Sequence, residues 1–297
     1  MLRLSFLIAS LLVVSSAAAA GHRAPHAADR LPNLGGLWTS TSLTELERPS
    51  RFKALTASDA EARAYEQRRP EDFSNTDIDD VGGRQTEATF WDVGALLARI
   101  GGQARTSWIV DPLDGRLPYT EAGLAVRAAK TKATQDFSNP EGRTPSERCL
   151  ISGWAAAGPP MLNGPYANEY QFVQTKDAVA IHMESVHDVR IGRWEGNSLV
   201  VETTNFNPGD TFKTPINLYI STDAKLTERF TRISPTQMLY EFTVDDPQIY
   251  SKPWRAQMIF KASKGPLLEY ACHEGNYSLP GILAGARRQE AEAKVTK

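Results

Sequence analysis

LTERFTRISPTQMLYEFTV, residues 226–244, decides the fold. Two runs rich in threonine, phenylalanine, tyrosine and other strand formers flank a Ser-Pro-Thr-Gln turn signal. Each run alternates in polarity. Glu241 and Thr243 oppose Tyr240 and Phe242, and Glu228 and Arg232 alternate with Arg229 and Thr231. Successive strand residues point to opposite faces, so the stretch predicts a β-hairpin. Similar short runs fall at 171–175, 179–191, 199–206, 254–261 and 267–272. Gly196-Asn197 in WEGNSL and Asp245-Asp246-Pro247 supply further turns. Regular short strands with tight turns predict a mainly β fold, an antiparallel meander closing into a barrel or a sandwich.

The first half of the chain is more helical. Residues 55–70 read as a helix capped by Ser58 or Thr56 and stopped by Pro70. An acidic loop follows, with Asp72, Asp77, Asp79 and Asp80 but no calcium-loop spacing. Residues 90–100 suggest a second short helix and 121–132 a third, while 107–119 read as a strand entering a Pro/Gly turn. Residues 139–160 are loop-rich, and the chain ends in a helix capped by Ser278 with Pro280 in its first turn. The organisation expected is a signal peptide at 1–20, a mobile lead-in at 21–33, and one β-rich domain at 34–297. Helices and loops at 50–160 elaborate that domain.

Export is read from the first residues. Arg3, an apolar run over 4–14 and small residues over 15–20 form a signal peptide cut after Ala20. The run is too short for an ordinary membrane span, and no later stretch is long enough. The expectation is a periplasmic or secreted protein without an integral membrane segment. Net charge is −2 and the sequence pI about 6.2, with no basic run. Nucleic acid is therefore not an expected partner, and a small-molecule ligand or substrate is. Two cysteines allow one pairing, Cys149–Cys272, which an oxidising compartment favours. The rival is a reactive Cys272 thiolate beside His273. If both sit on a strand, alternation turns them apart and no nucleophile–base pair forms.

Residues 179–191 carry the densest chemistry. His182, Glu184, Asp188 and Arg190 share one parity, and His187 falls with Val179, Ile181, Met183 and Val189. A solvated sheet face with cross-strand ion pairs accounts for such charges. A polar-lined cavity is the sharper reading, because small barrels hold single ligands. General acid–base chemistry needs a group titrating near neutral pH and a carboxylate to orient it. The candidate catalytic residues are His182, Glu184, His187, Asp188, His273 and Glu274. Arg190, Glu202, Arg229, Tyr240, Trp254 and Asn276 are candidate substrate contacts, with Arg190 facing an oxyanion. A metal on His182 and Glu184, completed by His273 or His187, is a weaker alternative without H-E-x-x-H or H-x-H spacing. No cofactor is assigned. A carboxylate pair of Glu228 and Glu241 suggests sugar hydrolysis as a further alternative.

Gly36 and Trp38 form a G-x-W start that resembles the opening strand of lipocalin-like barrels. A wider set of motifs resembles a large family of uncharacterised exported bacterial proteins: VHDVRI (186–191), GRWEGNSLVVETTNFN (192–207), LTERFTRI (226–233), YEFTVDDPQIYSKPW (240–254) and EYACHEGNY (269–277). VDPLDGRLPYTEAG (110–123) and ERCLISG (147–153) extend it. The resemblance implies an exported, β-rich fold and no particular activity. Relatives carry a longer insertion between the HDVRI and GRWEG elements. Here Ile191 runs directly into Gly192, which implies a more open pocket if that insertion forms a wall. The function expected is an exported lyase, hydratase or isomerase acting on a small, largely apolar molecule. A non-catalytic lipocalin-like carrier and an envelope interaction protein are the alternatives.

Overall fold

The structure is a computed structural model that describes residues 31–67, 94–145, 147–150, 158–164, 167–184, 186–190, 192–207, 212–213, 218–268 and 272–295. For 186–190, 212–213, 273 and 295 the description covers the backbone alone. The signal peptide, the acidic loop and the start of the 90–100 segment lie outside the described residues.

One antiparallel sheet dominates. Its strands are β1 (Gly36–Thr39), β2 (Ile109–Asp111), β3 (Glu169–Gln174), β4 (Val179–Met183), β5 (Val186–Arg190), β6 (Gly192–Glu195), β7 (Ser198–Thr203), β8 (Lys225–Ser234), β9 (Gln237–Asp245) and β10 (Trp254–Ala262). They run in the order β5-β4-β3-β1-β10-β9-β8-β7-β6, with β2 sharing the β10 edge with β1. The sheet curls strongly into a half-barrel, so the expected mainly β, antiparallel fold is the one found. Three helices, α1 (Asp59–Glu66), α2 (Glu121–Ala133) and α3 (Ser278–Val295), lie outside the sheet in sequence order.

Local chemistry explains the elements. The Ser58 hydroxyl and the Glu61 carboxylate close a capping box on α1. That helix ends at Glu66, before Pro70 is reached. Thr120 caps α2 through the Gly123 N–H. The β6–β7 hairpin turns at Gly196, whose φ of +61° suits glycine. Three expectations are corrected. Residues 94–100 are not helical. Gly94 has a φ of +79°, and Arg99–Ile100 pairs with Gln103–Arg105 across two further positive-φ glycines, Gly101 and Gly102. The 179–191 run is two strands, since the chain reverses between Met183 and Val186. Of the 267–272 run, the described residues Leu267, Leu268 and Cys272 lie in no strand, and Cys272–Gly275 forms a single helical turn.

The core is aromatic. Phe172, Phe230, Tyr240, Phe260 and Tyr170 form a chain of ring contacts with centroids 5.0 to 5.6 Å apart. Each large side chain removed from water contributes about 1.5–3 kcal/mol before entropy is counted. Trp38 lies at the β1 edge, its indole N–H bonded to Leu34 O at 3.0 Å and the Arg232 guanidinium 5.2 Å above its ring. Asp246 of the VDDP turn is buried and accepts the Ser221 N–H at 2.7 Å and hydroxyl at 2.9 Å. The Cys149–Cys272 disulfide is formed, with Cα atoms 5.5 Å apart across 123 residues. A loop of that length stabilises the fold by roughly 5 kcal/mol in the chain-entropy argument.

Among the described residues, two carboxyl side chains are almost wholly buried, Asp246 and Glu228. Glu228 has 0% exposure, sharing its face with Leu226 and Phe230. Its Oε1 accepts the Tyr240 hydroxyl at 2.6 Å, and that hydroxyl accepts the Met161 N–H at 3.0 Å. A buried carboxylate is costly unless hydrogen-bonded. Tyr240→Phe is therefore expected to lower stability by about 1–3 kcal/mol. A double-mutant cycle with Glu228→Gln, read by urea unfolding, should return a coupling of about 1 kcal/mol or more. Additive losses would show that the two groups are energetically independent.

Candidate functional site

The site is built on the sheet face opposite the aromatic core. In β4, Val179, Ile181 and Met183 are buried and His182 is half-buried. His182 therefore belongs to the outer face, and Glu184, two residues on, shares its parity. The two lie roughly 7 Å apart along the chain. In β3, Tyr170 and Phe172 go to the core, leaving Glu169 and Gln171 on the outer side. Register pairs Gln171 with His182 and Tyr170 with Met183, so one further step sets Glu169 opposite Glu184.

This carboxylate pair is partly shut off from water. The Glu184 Oε1 accepts the Leu268 N–H at 3.1 Å, so the segment after β10 crosses above it. Burial raises the Glu184 carboxyl above its ordinary range; the Leu268 bond opposes that shift, and the Glu169 charge adds to it. Glu169 Oε2 is buried without a hydrogen-bond partner among the described residues. A carboxyl kept protonated past its ordinary range is suited to general acid chemistry. The β4–β5 register pairs His182 with His187 and Ile181 with Asp188. The reversal thus gives His187 the parity of His182, whereas one continuous strand would separate them.

The other candidates are spread over the molecule. Arg190 registers with Val179 at the far end of the β4–β5 hairpin. Glu202 is an outer-face residue bonded to Lys225 at 2.9 Å and 3.7 Å from Arg193. Arg229 pairs with Glu195. Tyr240 and Trp254 are core residues; Trp254 packs edge-on against Phe242 and Tyr250. Asn276 serves the disulfide. It donates to Glu147 O at 2.9 Å and approaches Cys149 Sγ at 3.1 Å, and its Oδ1 accepts the Leu279 N–H at 3.2 Å. Asn276, rather than Ser278, thereby caps α3. Glu274 is exposed, and the His273 side chain lies outside the description. The Glu228–Glu241 pair is overturned by register. Glu228 faces Phe242 and Arg229 faces Glu241, so the two carboxylates lie on opposite faces.

Glu169 was missed from sequence because its role depends on which strand lies beside β4. The position of Glu228 was within reach, since it keeps phase with Leu226 and Phe230. Among the described residues, no group of three His, Cys, Asp or Glu side chains is placed to hold a metal ion. No described helix is long and apolar enough to cross a membrane. No family model, curated protein or solved structure matches the chain.

The raised Glu184 carboxyl makes stability depend on pH. In acid the group is neutral in both states. As pH rises, the unfolded chain ionises first, so stability falls through that window. Glu184→Gln keeps an acceptor for Leu268 and removes the decline. Its urea midpoint should exceed the wild type at pH 7, and the gap should close by about pH 4. Parallel curves across this range would contradict the assignment.

Proposed function

We propose that the protein is exported and performs general acid–base chemistry at Glu184 and Glu169, with His182 alongside. The reaction class is that of a lyase, hydratase or isomerase. The observation that carries this reading is the half-buried Glu184 carboxyl set against Glu169, whose Oε2 is buried and unpaired. A carboxyl that keeps its proton past the ordinary range, set beside a second carboxyl, can remove a proton at one atom of a substrate and return it at another. The surroundings favour a largely apolar substrate. Leu268 is 52% exposed beside Glu184, and Val173 is 48% exposed on the outer face of β3. Export is supported by the basic and apolar start of the chain and by the disulfide. The resemblance of its motifs to exported bacterial proteins agrees with that compartment.

Native mass spectrometry of the mature protein purified from a periplasmic fraction identifies a co-purifying organic molecule. That molecule is then returned to the wild type and to Glu184→Gln. The wild type is expected to convert it, and the variant to convert it about 10²–10⁴-fold more slowly while still binding it. Tight binding without conversion by the wild type would replace the enzyme with a carrier. Equal turnover by the variant would remove Glu184 from the chemistry.

A further inference from the structure

We infer that the outer face of β8, β9 and β10 carries a second site, for the oxyanion head of a small organic acid or phosphate ester. Register lays out two polar rows there. Arg229 stands opposite Glu241, and Glu241 opposite Gln257. Two residues away, Thr227 stands opposite Thr243, and Thr243 opposite Arg255. A cavity of about 90 Å3 lies between the rows, with Val110 of β2 as its side wall.

In the first row Arg229 and Glu241 do not pair with each other. Arg229 and Glu241 occupy directly opposed positions, where opposite charges ordinarily pair. Instead Arg229 reaches outward to Glu195 on β6, and Glu241 accepts Gln257 Nε2 at 2.8 Å. The space between them stays open above the two threonines. Donors around it outnumber acceptors. Arg255 is exposed and forms no ion pair among the described residues, and the Thr227 and Thr243 hydroxyls have no hydrogen-bond partner there. Arg105 approaches from the small N-terminal sheet and donates to Gln257 Oε1 at 3.3 Å, and its own Nε is buried without an acceptor. Burial depresses the Arg105 guanidinium below its usual value.

Size and chemistry then select the ligand class. The space is a partly open cleft of about 90 Å3. It admits a phosphate or carboxylate group and leaves the rest of the molecule outside. A guanidinium binds such a group through two parallel N–H donors, and each threonine hydroxyl supplies one more. This cleft lies on β8–β10, whereas the Glu184–Glu169 pair lies on β3–β4, and neither site requires the other.

The test is a titration of the full mature chain with inorganic phosphate and, separately, with succinate at low salt. Amide and side-chain NMR shifts of Thr227, Thr243 and Gln257 provide the readout. A saturable shift with either probe is expected, weakened at least about tenfold in Arg255→Gln. Tighter phosphate binding assigns the site to phosphate esters, and tighter succinate binding assigns it to carboxylic acids. Thr243→Val, which keeps the side-chain shape, should weaken the preferred probe as well. Thermal melts of both variants confirm that the fold survives. The inference is overturned if neither probe saturates by about 10 mM, or if both folded variants bind as the wild type does.

Discussion

A tyrosine hydroxyl and a carboxylate, 2.6 Å apart and closed off from water, hold the register on which the sheet depends. Side chains repeat every two residues along a strand, so a slip of one residue between β8 and β9 exchanges the two faces. Such a slip would carry Arg229 into the aromatic core and separate Glu228 from Tyr240. Losing a hydrogen bond to a buried carboxyl costs about 1–3 kcal/mol. The surrounding rings penalise the slip further, because Phe230, Tyr240 and Phe260 contact one another only in the observed alignment. An ionisable group in the core thus opposes the nearest competing fold more strongly than another leucine would.

The same register builds the outer face. With Glu228 and Tyr240 inside, Arg229, Glu241 and Gln257 are forced outside in one row, and Thr227, Thr243 and Arg255 in the next. On the other side of β1, the β3–β4 pairing brings Glu169 against Glu184 by the same parity rule. The aromatic face supplies stability, and the polar face holds the residues of the proposed chemistry. The N-terminal helical elaboration has its own small core around Phe52, Ala62, Tyr65 and Leu97. It meets the sheet through Arg105 and through the bond from Gln257 N to Trp108 O. The C-terminal segment is tied back by the disulfide and by the contact of Leu268 with Glu184.

Much of this was legible in the sequence because it is local. Alternation at 226–244, the turns at Gly196 and Pro235, the Ser58 cap and the 121–132 helix depend on neighbours a few residues apart. The two cysteines left only one pairing to consider. What stayed hidden depends on strands distant in sequence. Glu169 gains its meaning from β4, and Arg255 from β8 and β9. The 179–191 run conceals a reversal because its polarity suits one strand as well as two, and parity for His187 and Asp188 changes with that choice. Tyr240 and Trp254 looked like ligand contacts since aromatic residues serve cores and sites equally well. Their burial decides for the core.

The central chemical claim is that Glu184 keeps its proton beyond the range of an ordinary glutamate because it is buried beside Glu169. Carbon-13 NMR of the side-chain carboxyls, followed against pH in the folded protein, reads this directly. The Glu184 resonance should titrate above the ordinary glutamate range and move back toward it when Glu169 is replaced by glutamine. A Glu184 midpoint at or below that ordinary range would contradict the account.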